Sequence, residues 1–160
     1  MKLKLSHVIV VAAIGASSLL GNAAQAQSFL QGFNGASLPA NWTAINRSDS
    51  PGTAWSTATA ITDPEGNPVA EPHEGAAFAV TNFTSTSATV GTISNWLITP
   101  TLSLRNGDTF SFFTRTTPGS AFPDRLELRL SLAGSSTNVG TTPTSVGNFS
   151  TLLLSISILL

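Results

Sequence analysis

The sequence predicts an all-β protein, most simply an antiparallel β-sandwich. Past residue 27, apolar residues recur with a period of two, and Pro, Gly and Asn residues separate these stretches into about seven short strands. No stretch in this region keeps the 3.6-residue period of a helix. Only 9% of the 160 residues are charged, and Ser and Thr supply much of the remaining polarity. Such a composition favours strands and turns over helices, and the length suits one domain.

The clearest predicted strand runs from Arg125 to Leu132. Its leucines occupy every second position, so they are expected to share one buried face. Glu127 and Arg129 alternate with them and are expected to point into solvent. This strand therefore predicts a sheet with one dry and one wet face.

The other predicted strands are shorter. They cover Ser28–Phe33, Trp42–Arg47, Ala76–Phe83, Thr92–Thr99, Asp108–Arg115 and Phe149–Ile156. Asn106-Gly107 is the strongest hairpin signal, and it predicts a type I′ turn with positive φ at both residues. The stretch from Ser56 to Gly75 is dense in Pro, Gly, Asp and Glu, which predicts a long surface loop.

The first 26 residues have the pattern of a secretory signal peptide. Lys2 and Lys4 precede an apolar run, Val8–Leu20, and Ala24-Gln25-Ala26 forms a small-x-small cleavage site before Gln27. An uncleaved membrane anchor is the alternative, but the apolar run is shorter than the roughly 20 residues that a spanning helix needs. We therefore expect a leader at 1–26, a single domain at 27–160, and a secreted or cell-surface location.

Charge and cysteine content exclude some functions. Seven Lys and Arg residues nearly balance eight Asp and Glu residues, for a formal net charge of −1. No basic cluster follows the leader, so nucleic acid is not an expected partner. The chain has no cysteine, so its stability must come from a core, a metal or both.

Four segments together resemble the choice-of-anchor J domain of bacterial exported proteins. They are Ile93–Pro100 (ISNWLITP), Phe122–Ser131 (FPDRLELRLS), Gly134–Gly140 (GSSTNVG) and Phe149–Leu154 (FSTLLL). The resemblance covers nearly the whole chain after the leader. It implies a jelly-roll-like sandwich, related to cleaved-adhesin and MAM-like domains, and an adhesin-like role at the surface or in the matrix. Members of this family often carry a PEP-CTERM anchoring signal.

The sequence departs from that family at two places. Asn34 stands where the family has an acidic residue after Gly-Phe, and the family continues beyond the point where this chain stops, at Leu160. The last ten residues, Thr151–Leu160, are strongly apolar and carry no charge, proline or glycine. Such a strand edge normally requires a cover. We therefore expect an incomplete sandwich, truncated at its C-terminal end.

Catalytic residues are not evident in the sequence. His73 is the only histidine after the leader, there is no cysteine, and no Gly-x-Ser-x-Gly elbow occurs. The carboxylates Asp63, Glu65, Glu71 and Glu74 are crowded on one Pro/Gly-rich stretch, whereas glycoside hydrolysis requires two carboxylates on a rigid frame. We expect a protein without enzymatic activity.

The same acidic stretch supports a calcium hypothesis. Oxygen-bearing residues are spaced like the ligands of a calcium-binding loop, but Pro68 occupies the position that needs glycine, and no helices flank the stretch. These residues are Asp63, Glu65, Asn67, Glu71 and Glu74. A solvated acidic loop is the simpler interpretation, and no other cofactor is expected.

Three tryptophans are candidates for stacking on sugars. Trp96 lies inside an apolar strand and Trp42 at a strand start, so both are expected to pack in the core. Trp55 lies beside the long loop and is the candidate ligand-binding aromatic residue.

The sequence as a whole predicts a non-enzymatic binding or structural module at the cell surface or in the extracellular matrix. Its expected partner is an extracellular polysaccharide or a surface protein. A carbohydrate-binding accessory domain, a hydrolase fragment and a non-functional truncated fragment are the alternatives.

Overall fold

The computed structural model describes residues 8–11, 29–116 and 125–157, and within them the protein is all-β, as predicted. A single short 3₁₀ helix, Phe83–Ser85, is the only helix in these ranges, and no helix there could span a membrane. The strands are β1 (Val8–Val11), β2 (Thr43–Asn46), β3 (Ser56–Ala58), β4 (Ile61–Thr62), β5 (Pro68–Ala70), β6 (Phe78–Val80), β7 (Asn95–Ile98), β8 (Arg125–Ser131) and β9 (Thr151–Ser157).

Five strands form the main sheet, in the order β2-β7-β1-β8-β9. The central strand β1 is parallel to both of its neighbours, whereas the outer pairs β2–β7 and β8–β9 are antiparallel. Two small antiparallel pairs, β3–β6 and β4–β5, complete the described strands.

The main sheet is covered on both faces at β7 and at the middle of β8. The strand registers place Leu97 and Leu128 on one face and Trp96 and Ile98 on the other. Trp96 and Ile98 pack with residues of the segment that joins β8 to β9, namely Val139 and Phe149. Leu128 packs with residues from the segment that follows β7, namely Leu102, Phe110 and Phe112. The predicted burial of Trp96 is therefore confirmed.

The apolar pattern of the sequence located five strands correctly. The predictions at 42–47, 76–83, 92–99, 125–132 and 149–156 correspond to β2, β6, β7, β8 and β9, each with somewhat different ends. No strand forms at 29–33 or at 108–115. At 108–115, Phe110 and Phe112 both pack against the cluster of Leu102 and Leu128, as their alternation predicts. Their backbone pairs with no other described strand, so the alternation did not produce a β-strand.

The prediction of a wet face on β8 is wrong. Glu127 is only 3% exposed, whereas Leu132, directly after the last residue of β8, is 63% exposed. The Glu127 carboxylate is held between two guanidinium groups, with Arg125 Nε 2.9 Å from Oε1 and Arg129 Nε 2.8 Å from Oε2. Arg129 also donates a hydrogen bond to the Phe149 carbonyl. The β8–β9 connection therefore covers the charged side of β8, and the ion pairs compensate the burial.

The predicted hairpin at Asn106-Gly107 is also wrong. The Asp108 amide does donate to the Arg105 carbonyl, so a turn is present. Only Gly107 has a positive φ, 96°, which is the pattern of a type II turn rather than type I′. A type II turn does not match the twist of two paired strands, so it is unfavourable in a two-residue hairpin. Within the described residues, no strand directly precedes or follows this turn.

The stretch 56–75, predicted to be a long surface loop, contains three short strands. It contains β3 and the hairpin of β4 and β5, which were not predicted because their two or three residues are too few to show a period. Within the predicted leader, Val8–Val11 forms the central strand β1. The predicted cleavage site, Ala26 and Gln27, lies outside the described residues.

Candidate functional site

A shallow depression of about 430 Å³ lies at one end of the main sheet. Three separate segments line it. Most of the lining residues carry a hydroxyl or an amide group, and none is charged. The lining residues are Asn41, Thr43, Ile98, Thr99, Pro100, Thr101, Ser135, Ser136 and Thr137.

Strand direction brings these segments together. Thr43, the first residue of β2, pairs with Ile98, the last residue of β7, because the two strands are antiparallel. β8 runs in the same direction as β7, since both are parallel to β1, so the loop after β8 emerges at the same end. The depression is therefore a consequence of the sheet topology, and no single stretch of sequence could have revealed it.

Local hydrogen bonds hold the loop after β8 in place. The Ser136 amide donates to the Ala133 carbonyl and closes a turn, in which Gly134 has a φ of 58°. The Ser136 hydroxyl accepts hydrogen bonds from the Asn138 amide and from Asn148 Nδ2. In the segment after β7, the Thr99 hydroxyl donates to the Pro100 carbonyl, and Thr101 is exposed.

An aromatic group adjoins the depression along the chain. Trp42, between Asn41 and Thr43, is half-buried, and its ring meets Phe33 edge-on with centroids 4.8 Å apart. Phe29 stacks loosely on the same indole and is 41% exposed. Trp42 was predicted to be a packing residue, and its packing partners are these two phenylalanines rather than the main core.

Asn34, which departs from the resembled family, fastens this aromatic segment to the loop after β5. Its amide oxygen accepts a hydrogen bond from the Ala76 backbone, at 2.7 Å. Gly75 lies so close, with a φ of 78°, that an added Cβ would collide with the Asn34 side chain. In this chain, the side chain at position 34 therefore connects the aromatic segment to the backbone at Ala76.

Trp55, the predicted stacking residue, is half-buried rather than freely exposed. Its indole Nε1 donates a hydrogen bond of 3.0 Å to the carbonyl of Asn95, the first residue of β7. The side chain of Asn95 is fully buried, and its Nδ2 lies within hydrogen-bonding distance of three oxygens around it, those of Thr53, Thr81 and Ser85. Trp55 is thus part of the polar network that joins the β3–β6 pair to the main sheet.

Asp63 and Asn67 of the calcium hypothesis close the β4–β5 hairpin. The Asp63 carboxylate accepts hydrogen bonds from the Asn67 backbone amide, at 2.8 Å, and from Asn67 Nδ2, at 3.1 Å. The Asn67 carbonyl in turn accepts from the Asp63 amide, and Gly66 completes the turn with a φ of 88°. These hydrogen bonds, chiefly the one from the Asn67 side chain, lower the pKa of Asp63 below its ordinary value of 3.8.

The remaining acidic residues are dispersed. Glu65, Glu71 and Glu74 are exposed, and His73 lies against Phe113 with ring centroids 3.5 Å apart. In the described ranges, no three His, Cys, Asp or Glu side chains are grouped closely enough to hold a metal ion. The hydrogen bonds of Asp63 fit a turn-stabilising carboxylate better than a metal ligand.

The fold and the depression define an all-β protein with an uncharged, hydroxyl-rich surface site. In comparisons with known proteins, the chain matches no family model, no curated protein and no solved structure.

Proposed function

We propose that the protein is an exported, non-enzymatic module of the choice-of-anchor J type, which acts by contact at the cell surface or in the extracellular matrix. The observation that carries this proposal is the depression at the end of the main sheet, whose lining offers hydroxyl and amide groups and no charge. The leader pattern at 1–26 supports export, and the four family-like segments support the class.

The lining favours one kind of ligand. Hydroxyl groups both donate and accept hydrogen bonds, and an uncharged site offers nothing to neutralise a phosphate or a strongly charged peptide. Neutral polysaccharides present the same groups in return. Of the two expected partners, a neutral extracellular polysaccharide fits the depression better than a surface protein does.

A pair of matched substitutions tests this proposal. Thr101→Trp places a bulky side chain in the depression, whereas Thr109→Trp makes the same change at an exposed threonine outside it. The probe is neutral polysaccharide purified from the matrix of the producing cells, bound to beads. We expect wild type and Thr109→Trp to be retained alike and Thr101→Trp to lose at least tenfold in retention. Equal retention of all three proteins, or none by wild type, would contradict the proposal.

Enzymatic activity is tested separately. A screen with chromogenic glycosides, esters and peptides should give no turnover above buffer, because the only histidine after the leader is stacked on Phe113 at an exposed site. Turnover that survives repurification and is lost on a single carboxylate substitution would establish a hydrolase instead.

A further inference from the structure

In the main sheet, β7 and β8 flank a gap that is one strand wide and that β1 fills. These two strands do not pair with each other, because β1 lies between them. Neighbouring strands lie about 4.7–4.9 Å apart, so β7 and β8 are separated by two such spacings, roughly 10 Å. Without β1, neither strand could bond to the other unless half of the sheet moved.

The register of β1 is defined on both sides. Val8 lies opposite Leu97 of β7 and Leu128 of β8, and Ile9 lies opposite Ile98 and Arg129. Pairing with β8 continues as far as Val11, opposite Ser131. The gap thus accepts one short extended segment in a single direction, parallel to both neighbours.

The edges of this gap need a partner. All four residues of β7 are buried while β1 is in place. Without β1, the backbone N–H and C=O groups on this side of β7, and along part of β8, would form two facing strand edges with no partner. Unpaired strand edges readily accept another extended segment.

The segment that fills the gap has a suitable sequence. Val8–Val11 reads Val-Ile-Val-Val, four β-branched apolar residues in succession. Continuous β-branched runs are typical of parallel strands with both faces covered. The same four residues begin the apolar run that the sequence assigns to the leader.

We propose that the gap between β7 and β8 is an acceptor site for one extended apolar strand, that Val8–Val11 is its occupant in the unprocessed chain, and that removal of the leader opens it. The site would then bind a free segment of the same chemistry: short, uncharged, β-branched and parallel to β7. The strand pairing itself does not depend on the proposed function, and only the opening step depends on the leader being cleaved and then displaced.

The first test uses the full chain and native-state hydrogen exchange. Ile9→Pro removes a backbone donor from the middle of β1, whereas Ala13→Pro places the same residue two positions beyond its last residue. We expect Ile9→Pro to speed exchange of the Leu97, Leu128 and Leu130 amides at least tenfold, while amides of the β3–β6 pair keep their rates. Ala13→Pro should match wild type. Identical exchange in the two variants would overturn the proposal.

A second test does not require a destabilised variant to fold. A specific protease site replaces residues 23–27, and the full chain is cut only after it has folded. The released leader is expected to stay bound through gel filtration, and a synthetic peptide of residues 6–13 should displace it, whereas the same peptide with Ile9→Pro should not. Loss of the leader with no change in the exchange of β7 and β8 would refute the acceptor site. Because this test uses no polysaccharide and no export, its failure would leave the proposed function untouched.

Discussion

Removal of the Glu127 carboxylate should destabilise the protein strongly, although a charged residue in an alternating strand would ordinarily be a surface position. The Glu127 side chain is 4% exposed and that of Arg129 is 14% exposed, so Glu127→Ala leaves a guanidinium buried without its counter-ion. Breaking a buried pair in this way costs about 3–5 kcal/mol. Arg129 keeps its hydrogen bond to the Phe149 carbonyl, which places the expected loss near the lower end, about 3 kcal/mol.

Urea unfolding measures this loss directly. With a urea dependence of about 1–3 kcal/mol per molar, a loss of 3 kcal/mol lowers the unfolding midpoint by roughly 1–3 M. Arg125 is 44% exposed, so Arg125→Ala should cost less than about 1 kcal/mol. Glu71→Ala, at an exposed glutamate with no ion pair among the described contacts, is the control and should leave the midpoint unchanged.

The double variant Glu127→Leu/Arg129→Met separates the loss of the ion pair from the cost of an unpaired buried charge. Removing both charges together should recover most of the stability lost in Glu127→Ala, because the one charge left without its partner, Arg125, is 44% exposed and reaches water. If Glu127→Ala behaves like Glu71→Ala, the ion pair is not buried and the described packing of the β8–β9 connection is wrong.

Three further predictions follow from the core, the hairpin and the leader. Trp96→Ala should cost about 3–5 kcal/mol in the same assay, because Trp96 is fully buried against Phe149; a loss under about 1 kcal/mol would contradict that core. The lowered pKa of Asp63 means that its stabilisation of the hairpin is present above the unfolded pKa and is lost as the pH falls through the folded one. Its NMR titration should have a midpoint below 3.8, and Asn67→Ala should raise that midpoint, whereas an unchanged midpoint would exclude the side-chain hydrogen bond as the cause. Mass spectrometry of exported material should find Gln27 at the N-terminus, and an intact Met1 in the membrane fraction would show that the leader is not cleaved.

The sequence predicted the elements in which an apolar pattern, alternating or continuous, extends over at least four residues. β8 (RLELRLS) alternates strictly, whereas β7 (NWLI) and β9 (TLLLSIS), of four and seven residues, were recognised from consecutive apolar residues. β4 and β5 have two and three residues, which cannot display a period, and their pairing depends on the Asp63 and Asn67 contacts instead. The failure at 108–115 is of the opposite kind, because alternation there reflects packing of Phe110 and Phe112 without a paired strand.

The burial of Glu127 and the candidate site both depend on contacts between segments far apart in the sequence, which no local sequence pattern shows. A charged residue on a strand is assigned to solvent unless something distant covers it, and here the cover comes from residues around Phe149. The depression likewise combines the start of β2, the end of β7 and the loop after β8, which are up to 96 residues apart between Asn41 and Thr137. Serine and threonine are common in loops, so the sequence does not distinguish the ones that line the depression from those elsewhere. Only the sheet topology brings them together.

The β9 strand bears on the expected truncation. It is an edge strand of the described sheet, and Leu152, Leu153 and Leu154 are each at least 43% exposed. An apolar edge of this kind tends to pair with other chains. The incomplete sandwich stays a prediction, and an uncovered β9 in solution would appear as concentration-dependent association.

The most direct test of the contact function is NMR mapping with neutral oligosaccharides prepared from the matrix of the producing cells. We expect chemical-shift changes to concentrate on Asn41, Thr43, Thr101 and Thr137 at the end of the main sheet, and Thr101→Trp to abolish them. Changes centred on Trp55, or spread over the surface without saturation, would contradict it.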